Sequence, residues 1–352
     1  MILNCMLGGG YGGLEKLFLD EIEMLPLANL PTCGLVRRNS ELARYARERH
    51  LAVDEIGMLS DWDPLSIARA RSIVRRHAPE LVICVGRKAH RLVGRAIGKG
   101  IPIVPMVQKR RFDRNFPHAG VMVAAEHRRR TLIEDGVPPG DIVVIPNAVR
   151  LPAQPKNDYA VRGGQPVRIA ALGRLHEKKG FGVLIEAIGS LNRDGIDCTC
   201  VIAGEGPERG KLESSIRREN LAAKVTLPGW TDRVAEFLSD ADLFVLPSFQ
   251  EDFPLAVLDA MASGMPIIAS AIDGPREFLA DTETALLVPP NEPAALARAL
   301  RRLIEDGTLR ETLGRKARAT AERNYSFEAV ARRLGSAMRN VLEGRPISSE
   351  AA

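Results

Sequence analysis

From residue 167 onward the chain alternates short, mainly apolar runs with longer stretches of helical character. The runs at 167–172, 198–203, 225–227, 243–247, 266–270 and 285–288 lack period-two alternation, the pattern of strands buried on both faces of a parallel sheet. Helical stretches at 180–193, 207–220, 232–239 and 254–263 separate them. Strand and helix taken in turn predict a doubly wound α/β domain with a parallel sheet covered on both sides.

The first half repeats this pattern with less regularity. Strands are predicted at 2–7, 35–36, 81–85, 101–104, 121–124 and 142–145, with a helix over 13–23. Residues 151–166 are dense in proline, glycine and polar side chains and read as an interdomain linker. A last helix is expected over 327–342, before a frayed tail. The resulting division is a domain at 1–150, a linker at 151–166, a domain at 167–325, a C-terminal helix at 326–344 and a tail at 345–352.

Composition supports two globular domains and excludes other classes. The 352 residues are 45% hydrophobic, too apolar for low-complexity disorder. No apolar run approaches the roughly 20 residues that span a bilayer. The N-terminus lacks the basic start and long apolar stretch of a secretory signal, so a cytoplasmic location is expected. Cys5, Cys33, Cys84, Cys198 and Cys200 are scattered among apolar neighbours and read as reduced core thiols. The one-residue gap between Cys198 and Cys200, with no second pair nearby, favours core filling over metal ligation.

Charge is shared unevenly. Residues 1–150 hold 23 Lys/Arg against 16 Asp/Glu, a net +7, and the remainder is −2. The N-terminal excess includes Arg69, Arg71, Arg75 and Arg76, and also Lys109, Arg110, Arg111 and Arg114. Such clusters suit an anionic partner or a solvated helix face equally well. Too few aromatics are interleaved with them to favour nucleic acid.

Three glycine-containing loops follow strands. The stretch from Gly8 through Gly12 and Gly13 precedes the first helix, where backbone N–H groups and the helix dipole favour negative charge, though a plain tight turn explains it as well. It has neither a P-loop lysine nor dinucleotide spacing. Gly204-Glu205-Gly206-Pro207 follows a C-terminal strand but also misses that spacing. Gly173-Arg174-Leu175 with Lys178-Lys179-Gly180 says more, because cations at the carboxyl end of a parallel strand can neutralise phosphate oxygens. Arg174 offers a planar fork and Lys179 a point charge. In Pro247-Ser248-Phe249-Gln250-Glu251-Asp252-Phe253-Pro254, Glu251 follows a strand and can accept sugar hydroxyl hydrogen bonds. Pro254 suits a helix start, and Asp259 lies within that helix.

Together these segments resemble family 4 retaining glycosyltransferases, which have the GT-B fold: two Rossmann-like, doubly wound domains facing across a cleft. The resemblance covers nearly the whole C-terminal half, including Asp273-Gly274-Pro275-Arg276-Glu277 and Leu287-Val288-Pro289-Pro290-Asn291, and is patchier in the N-terminal half. It implies that Arg174 and Lys179 hold the donor diphosphate and that Glu251 contacts the transferred sugar. Asp259 takes the place of a Glu that binds the nucleotide ribose. Phe253, Pro254 and Leu255 match the stretch whose amides approach sugar and phosphate, Gly204 and Gly229 belong to the matching loops, and Gly12 and Gly13 match the N-domain loop near the diphosphate. Gln108 stands where the family often has a histidine, and the last helix matches one that crosses back to the N-terminal domain. His90, His118 and His127 are expected at the surface rather than as replacements.

The resemblance further implies metal-independent transfer of a hexose from a nucleotide-diphosphate sugar, with no cofactor, to a glycan or glycolipid acceptor of the lipid-linked or lipopolysaccharide/polysaccharide type. Retention would leave the departing phosphate to take the acceptor proton. Residues 106–116 mix cations with aromatic and apolar groups and suggest an anionic membrane partner, placing the protein peripherally on the inner face of the plasma membrane. A noncatalytic nucleotide-sugar or carbohydrate-binding partner, and a phosphorylase or epimerase of the same architecture, remain as alternatives.

Overall fold

The computed structural model describes residues 1–10, 12–97, 100–107, 118–156, 158–159 and 165–348. The chain divides into two compact units, one formed by Met1–Ala148 with Phe327–Ala352, the other by Val149–Ser326. Each is a parallel sheet between layers of helices.

In the first unit the strands are β1 (Ile2–Met6), β2 (Thr32–Arg37), β3 (Val53–Ile56), β4 (Leu81–Val85), β5 (Ile103–Met106), β6 (Val121–Val123) and β7 (Ile142–Val144). Their order is β3-β2-β1-β4-β5-β6-β7, with every pairing parallel. The period of two in β1 sends Leu3 and Cys5 into the core on one face, and Ile2 and Met6 into the core on the other. The second of these faces is covered by the helix Gly13–Leu27 and by the final helix Phe327–Leu342. In the latter, Phe327, Val330, Ala331, Leu334, Ala337, Met338 and Val341 recur at helical spacing and are all buried. The two helices meet closely at Gly335, where a Cβ would lie 2.4 Å from that of Ala28.

The second unit contains β8 (Val167–Leu172), β9 (Cys198–Ala203), β10 (Val225–Gly229), β11 (Leu243–Leu246), β12 (Ile267–Ser270) and β13 (Leu286–Val288), in the order β10-β9-β8-β11-β12-β13. All of its pairings are parallel. Strand order reverses between β8 and β11, which opens the crevice outside their carboxyl ends where ligands bind in such sheets.

Several sequence expectations need correction. The described part of 151–166 packs on the second unit. Buried Tyr159 donates its hydroxyl to Gly264 O at 2.8 Å, and buried Arg310 donates from Nε and Nη2 to Tyr159 O at 3.1 and 2.8 Å. His90 is 2% exposed inside the helix Arg87–Ala96 rather than at the surface. All five cysteines are free and buried, as read from their neighbours. Burial pushes the Cys198 thiol up to about 11 and raises that of Cys200 further still. Gln108, Lys109, Arg110, Arg111 and Arg114 lie outside the described residues. Among the described residues, no helix is long and apolar enough to cross a membrane.

A polar pair is sealed under the Gly13–Leu27 helix. Asn4 Nδ2 donates to Glu21 Oε2 at 2.8 Å, while Asn4 Oδ1 and Glu21 Oε1 are buried without a partner. Burial outweighs the opposing Asn4 hydrogen bond and pushes the Glu21 carboxyl from 4.5 up to about 7. The folded chain therefore holds a proton that the unfolded chain releases, so stability falls as pH rises from about 4.5 to about 7 and then levels off. Glu21→Gln, which mimics the protonated form, should remove this slope and gain roughly 3 kcal/mol on wild type at pH 8. Urea unfolding at pH 5 and pH 8 checks it: equal losses in the two proteins would contradict the assignment.

Candidate functional site

The loops at the carboxyl ends of β8, β9, β10 and β11 are stitched together by backbone. Gly173 N donates to Ala203 O (3.0 Å), Leu175 N to Glu205 O (2.9 Å), Gly204 N to Gly229 O (2.7 Å) and Phe249 N to Lys178 O (2.8 Å). Such approaches leave no room for side chains. A Cβ on Gly204, at φ +147°, would sit 1.9 Å from Gly173 O, and one on Gly180, at φ +64°, would sit 2.0 Å from Pro247 O. Glycine at 180 lets the chain leave the turn Glu177–Lys179 in a left-handed conformation and enter the helix Phe181–Arg193.

That turn aims Lys179 at the acidic loop. Lys179 Nζ lies 2.6 Å from Glu251 Oε1, and the hydroxyl of fully buried Ser248 donates to the same oxygen at 2.7 Å. Both hydrogen bonds end on Oε1, so Oε2 is left to accept from a ligand. The Lys179 and Glu251 side chains are 25% and 11% exposed, shielded from water yet reachable. The backbone of the acidic loop is itself braced, because a Cβ on Gly274 would lie 2.5 Å from Glu251 O.

The remaining predicted residues differ in what the structure does with them. Arg174, five positions before Lys179, is exposed and has no ion pair among the described residues. The Phe253 ring packs against Phe278 (centroids 4.6 Å apart) and Tyr325 (5.9 Å), which orients the loop. Pro254 caps the helix Leu255–Ala262: Val257 N and Leu258 N donate to Pro254 O (3.1 and 3.4 Å), while the N–H groups of Leu255 and Ala256 have no intrahelical acceptor. Asp259 is half-buried in the second turn of that helix. Gly229, at φ +102°, ends β10 with its hypothetical Cβ 3.0 Å from Glu205 Oε1.

Gly12 and Gly13 belong to the other unit. There Gly12 is the extended N-cap of the Gly13–Leu27 helix, and Glu15 folds back so that its Oε1 lies 3.0 Å from where a Gly8 Cβ would be. The helix N-terminus thus already faces one carboxylate. Sequence reasoning assigned no role to Ser248, although its place three residues before Glu251 at a strand end is the available signal.

One group of donors among the described residues has metal-like spacing: Cys33, Asp54 and His77, with ligand atoms within 4.8 Å of one another, at the β2–β3 edge of the first unit. Asp54 Oδ2 there already accepts from His77 Nε2 at 2.5 Å and from Arg76. Burial alone would raise the Asp54 carboxyl, but these hydrogen bonds together hold it below its usual value. The guanidinium therefore occupies the charge a cation would use.

Residues 158–320 match the family model described as glycosyl transferases group 1. An alpha-D-kanosaminyltransferase of Streptomyces kanamyceticus is 33% identical over 172 residues, 48% of this chain and 45% of that protein. A lipopolysaccharide core biosynthesis glycosyltransferase, LpsE of Rhizobium meliloti, is 31% identical over 46% of each chain. The matches thus span about half the length of these relatives. The crystal structure of Anabaena HepE in complex with UDP superposes with a TM-score of 0.82 at 19% identity, covering 96% of this chain and 99% of that one. Residues 158–320 are thus similar to the glycosyl transferases of group 1, and the two Rossmann-like parallel-sheet units have the GT-B fold.

Proposed function

We propose that the chain is a retaining glycosyltransferase that moves a hexose from a nucleotide-diphosphate sugar to a lipid-linked or lipopolysaccharide/polysaccharide acceptor without a metal ion. The observation that carries this reading is the contact of both Lys179 and Ser248 with Glu251 at the strand-order reversal. The UDP bound in the Anabaena structure and the lipopolysaccharide role in the name of the Rhizobium relative support it.

Cleaving the bond between anomeric carbon and phosphate leaves positive charge on the sugar and negative charge on the departing diphosphate. Lys179, Arg174 and the first-turn amides of the Leu255–Ala262 helix are fixed charges and dipoles for the second of these. A diphosphate oxygen competes with Glu251 for Lys179, and the carboxylate so released accepts from sugar hydroxyls while Ser248 still holds its Oε1. On the retained face the leaving phosphate oxygen takes the acceptor proton, so no protein base is needed. Asp259, one methylene shorter than Glu, reaches toward the ribose, and the acceptor docks on the basic N-terminal unit.

A thermal-shift panel of nucleotides and nucleotide sugars tests the donor site. A cognate nucleotide at about 100 times its dissociation constant adds about 2.7 kcal/mol to the folded state, a rise of roughly 5–10 °C in Tm. Transfer should persist in EDTA and give a product of unchanged anomeric configuration by NMR. No shift with any nucleotide, or a shift that survives Lys179→Ala undiminished, would remove the reading. Turnover that requires inorganic phosphate would point to a phosphorylase, and binding without transfer or hydrolysis to a noncatalytic partner.

A further inference from the structure

The strongest unexplained surface lies on the first unit, between β3 and the helix Pro64–His77. Leu59, Trp62 and Leu65 are 82%, 65% and 63% exposed, the most exposed large apolar side chains among the described residues. Their backbone is well ordered by its own polar groups. Leu59 N donates to Ser66 Oγ (3.2 Å), Asp63 N to Ser60 Oγ (3.1 Å), and both N and Oγ of Ser66 donate to Asp63 Oδ2 (2.8 and 2.6 Å). The Arg95 guanidinium stacks 3.5 Å from the Trp62 ring centroid. Local hydrogen bonds thus hold three large apolar groups out in water, an arrangement that costs free energy in isolation and marks a contact surface.

The helix that follows supplies the charge. It contains Arg69, Arg71, Arg75 and Arg76 and no Asp or Glu. Among the described residues Arg69 and Arg71 donate to backbone carbonyls, of Gly57 and of Arg95 and Ala96; the charge of Arg69 is also felt by Asp63, and that of Arg71 faces no carboxylate. Arg75 has no hydrogen bond or ion pair among the described residues. The nearby acids are spoken for: Asp61 faces Arg95 at 3.8 Å, and Asp63 caps the helix. An ordered apolar tip with a tryptophan beside an acid-free basic helix matches the two components of interfacial binding, acyl-chain insertion and attraction to anionic headgroups.

We propose that Leu59, Trp62 and Leu65, with Arg69, Arg71 and Arg75, form a docking surface for an anionic lipid bilayer. It rests on the lipid-linked acceptor reading for its purpose but not for its observations. The surface would hold the N-terminal unit where such an acceptor resides.

The test uses the full chain with Trp230→Phe, which leaves Trp62 as the sole tryptophan. It is mixed with vesicles of phosphatidylcholine alone or containing phosphatidylglycerol. Binding is read by flotation, insertion by quenching of Trp62 with brominated acyl chains, and fold by the unfolding midpoint. Wild-type surface residues should give salt-sensitive binding to the anionic vesicles with quenching. Leu59→Ser, Trp62→Ser and Leu65→Ser together should lower flotation at least tenfold at an unchanged midpoint. Arg69→Ser with Arg75→Ser should cost roughly 30-fold on anionic vesicles only.

Any of these results overturns the proposal: binding without quenching, binding unaltered by either set of variants, or a dimer in sedimentation that Trp62→Ser dissolves. Retention by a soluble polyanion as strong as by vesicles would assign the arginines to another partner and also overturn it. The nucleotide thermal shift is read on the same proteins, so loss of membrane binding with that shift intact leaves the glycosyltransferase reading standing.

Discussion

Lys179→Ala is expected to lower kcat/KM for sugar transfer by about 100- to 1000-fold, the usual effect of deleting one preorganised charge from a developing anion. Lys179 is held 2.6 Å from Glu251 by a glycine turn that no other residue can make, so its position is set before the donor arrives. Removing it also leaves Glu251, 11% exposed, with Ser248 as its remaining partner, which disturbs the carboxylate proposed to face the sugar. The double variant Lys179→Ala with Glu251→Gln should therefore lose far less than the product of the single effects, because the two groups act as one unit. Steady-state kinetics on the four proteins of this cycle provide the check. A loss under tenfold for Lys179→Ala, or strict additivity, would show that the pair does not carry the chemistry.

Gly204→Ala should be among the most damaging single-methyl changes in the second unit, costing about 3–5 kcal/mol from overpacking and positive-φ strain together. The obstacle is backbone: the new Cβ would meet Gly173 O at 1.9 Å and Gly173 C at 2.9 Å, and no rotamer change relieves it. Relief must part the β8 and β9 loops, so nucleotide binding should fall with stability. Gly182→Ala is the internal control. Nothing lies within 4 Å of its Cβ, and it sits in the Phe181–Arg193 helix, where alanine gains about 0.5–1 kcal/mol over glycine. Denaturant midpoints of the two variants should move in opposite directions, and a tolerated Gly204→Ala would mean that the loops are not packed as described.

How legible the molecule was in its sequence depended on what each residue had to satisfy. Strands buried on both faces, such as Leu243–Leu246 and Leu81–Val85, announce themselves as continuous apolar runs. Val53–Ile56 does not, because it is an edge strand with Asp54 and Glu55 at its centre, where one side needs no apolar cover. The Glu41–Glu48 helix is short and highly charged, so its few buried positions, Leu42, Ala43 and Ala46, hardly stand out. The prolines and glycines of 151–166 suggested a free linker, but a single tyrosine hydroxyl and a buried arginine are enough to dock part of it.

At the site, Lys179 and Glu251 are 72 residues apart, and motif resemblance alone joined them. Ser248 escaped notice because a serine beside a strand is common and its meaning lies in the contact. The resemblance concerns the backbone of Phe253; its ring packs on Phe278 and Tyr325, partners invisible to any local pattern.

The way the chain enters and leaves the second unit has a consequence for synthesis. Val149 N donates to Tyr325 O at 2.8 Å and Val149 bridges Ser326 in parallel, so the segment 149–326 enters and leaves its unit at neighbouring points, like a parenthesis opened and closed within the other unit's chain. A ribosome completes that inner clause while the surrounding one still lacks Phe327–Leu342, whose apolar stripe must close over Ile2, Met6 and Phe18. The part translated first is therefore the last to mature, and its exposed sheet face awaits the final helix throughout elongation.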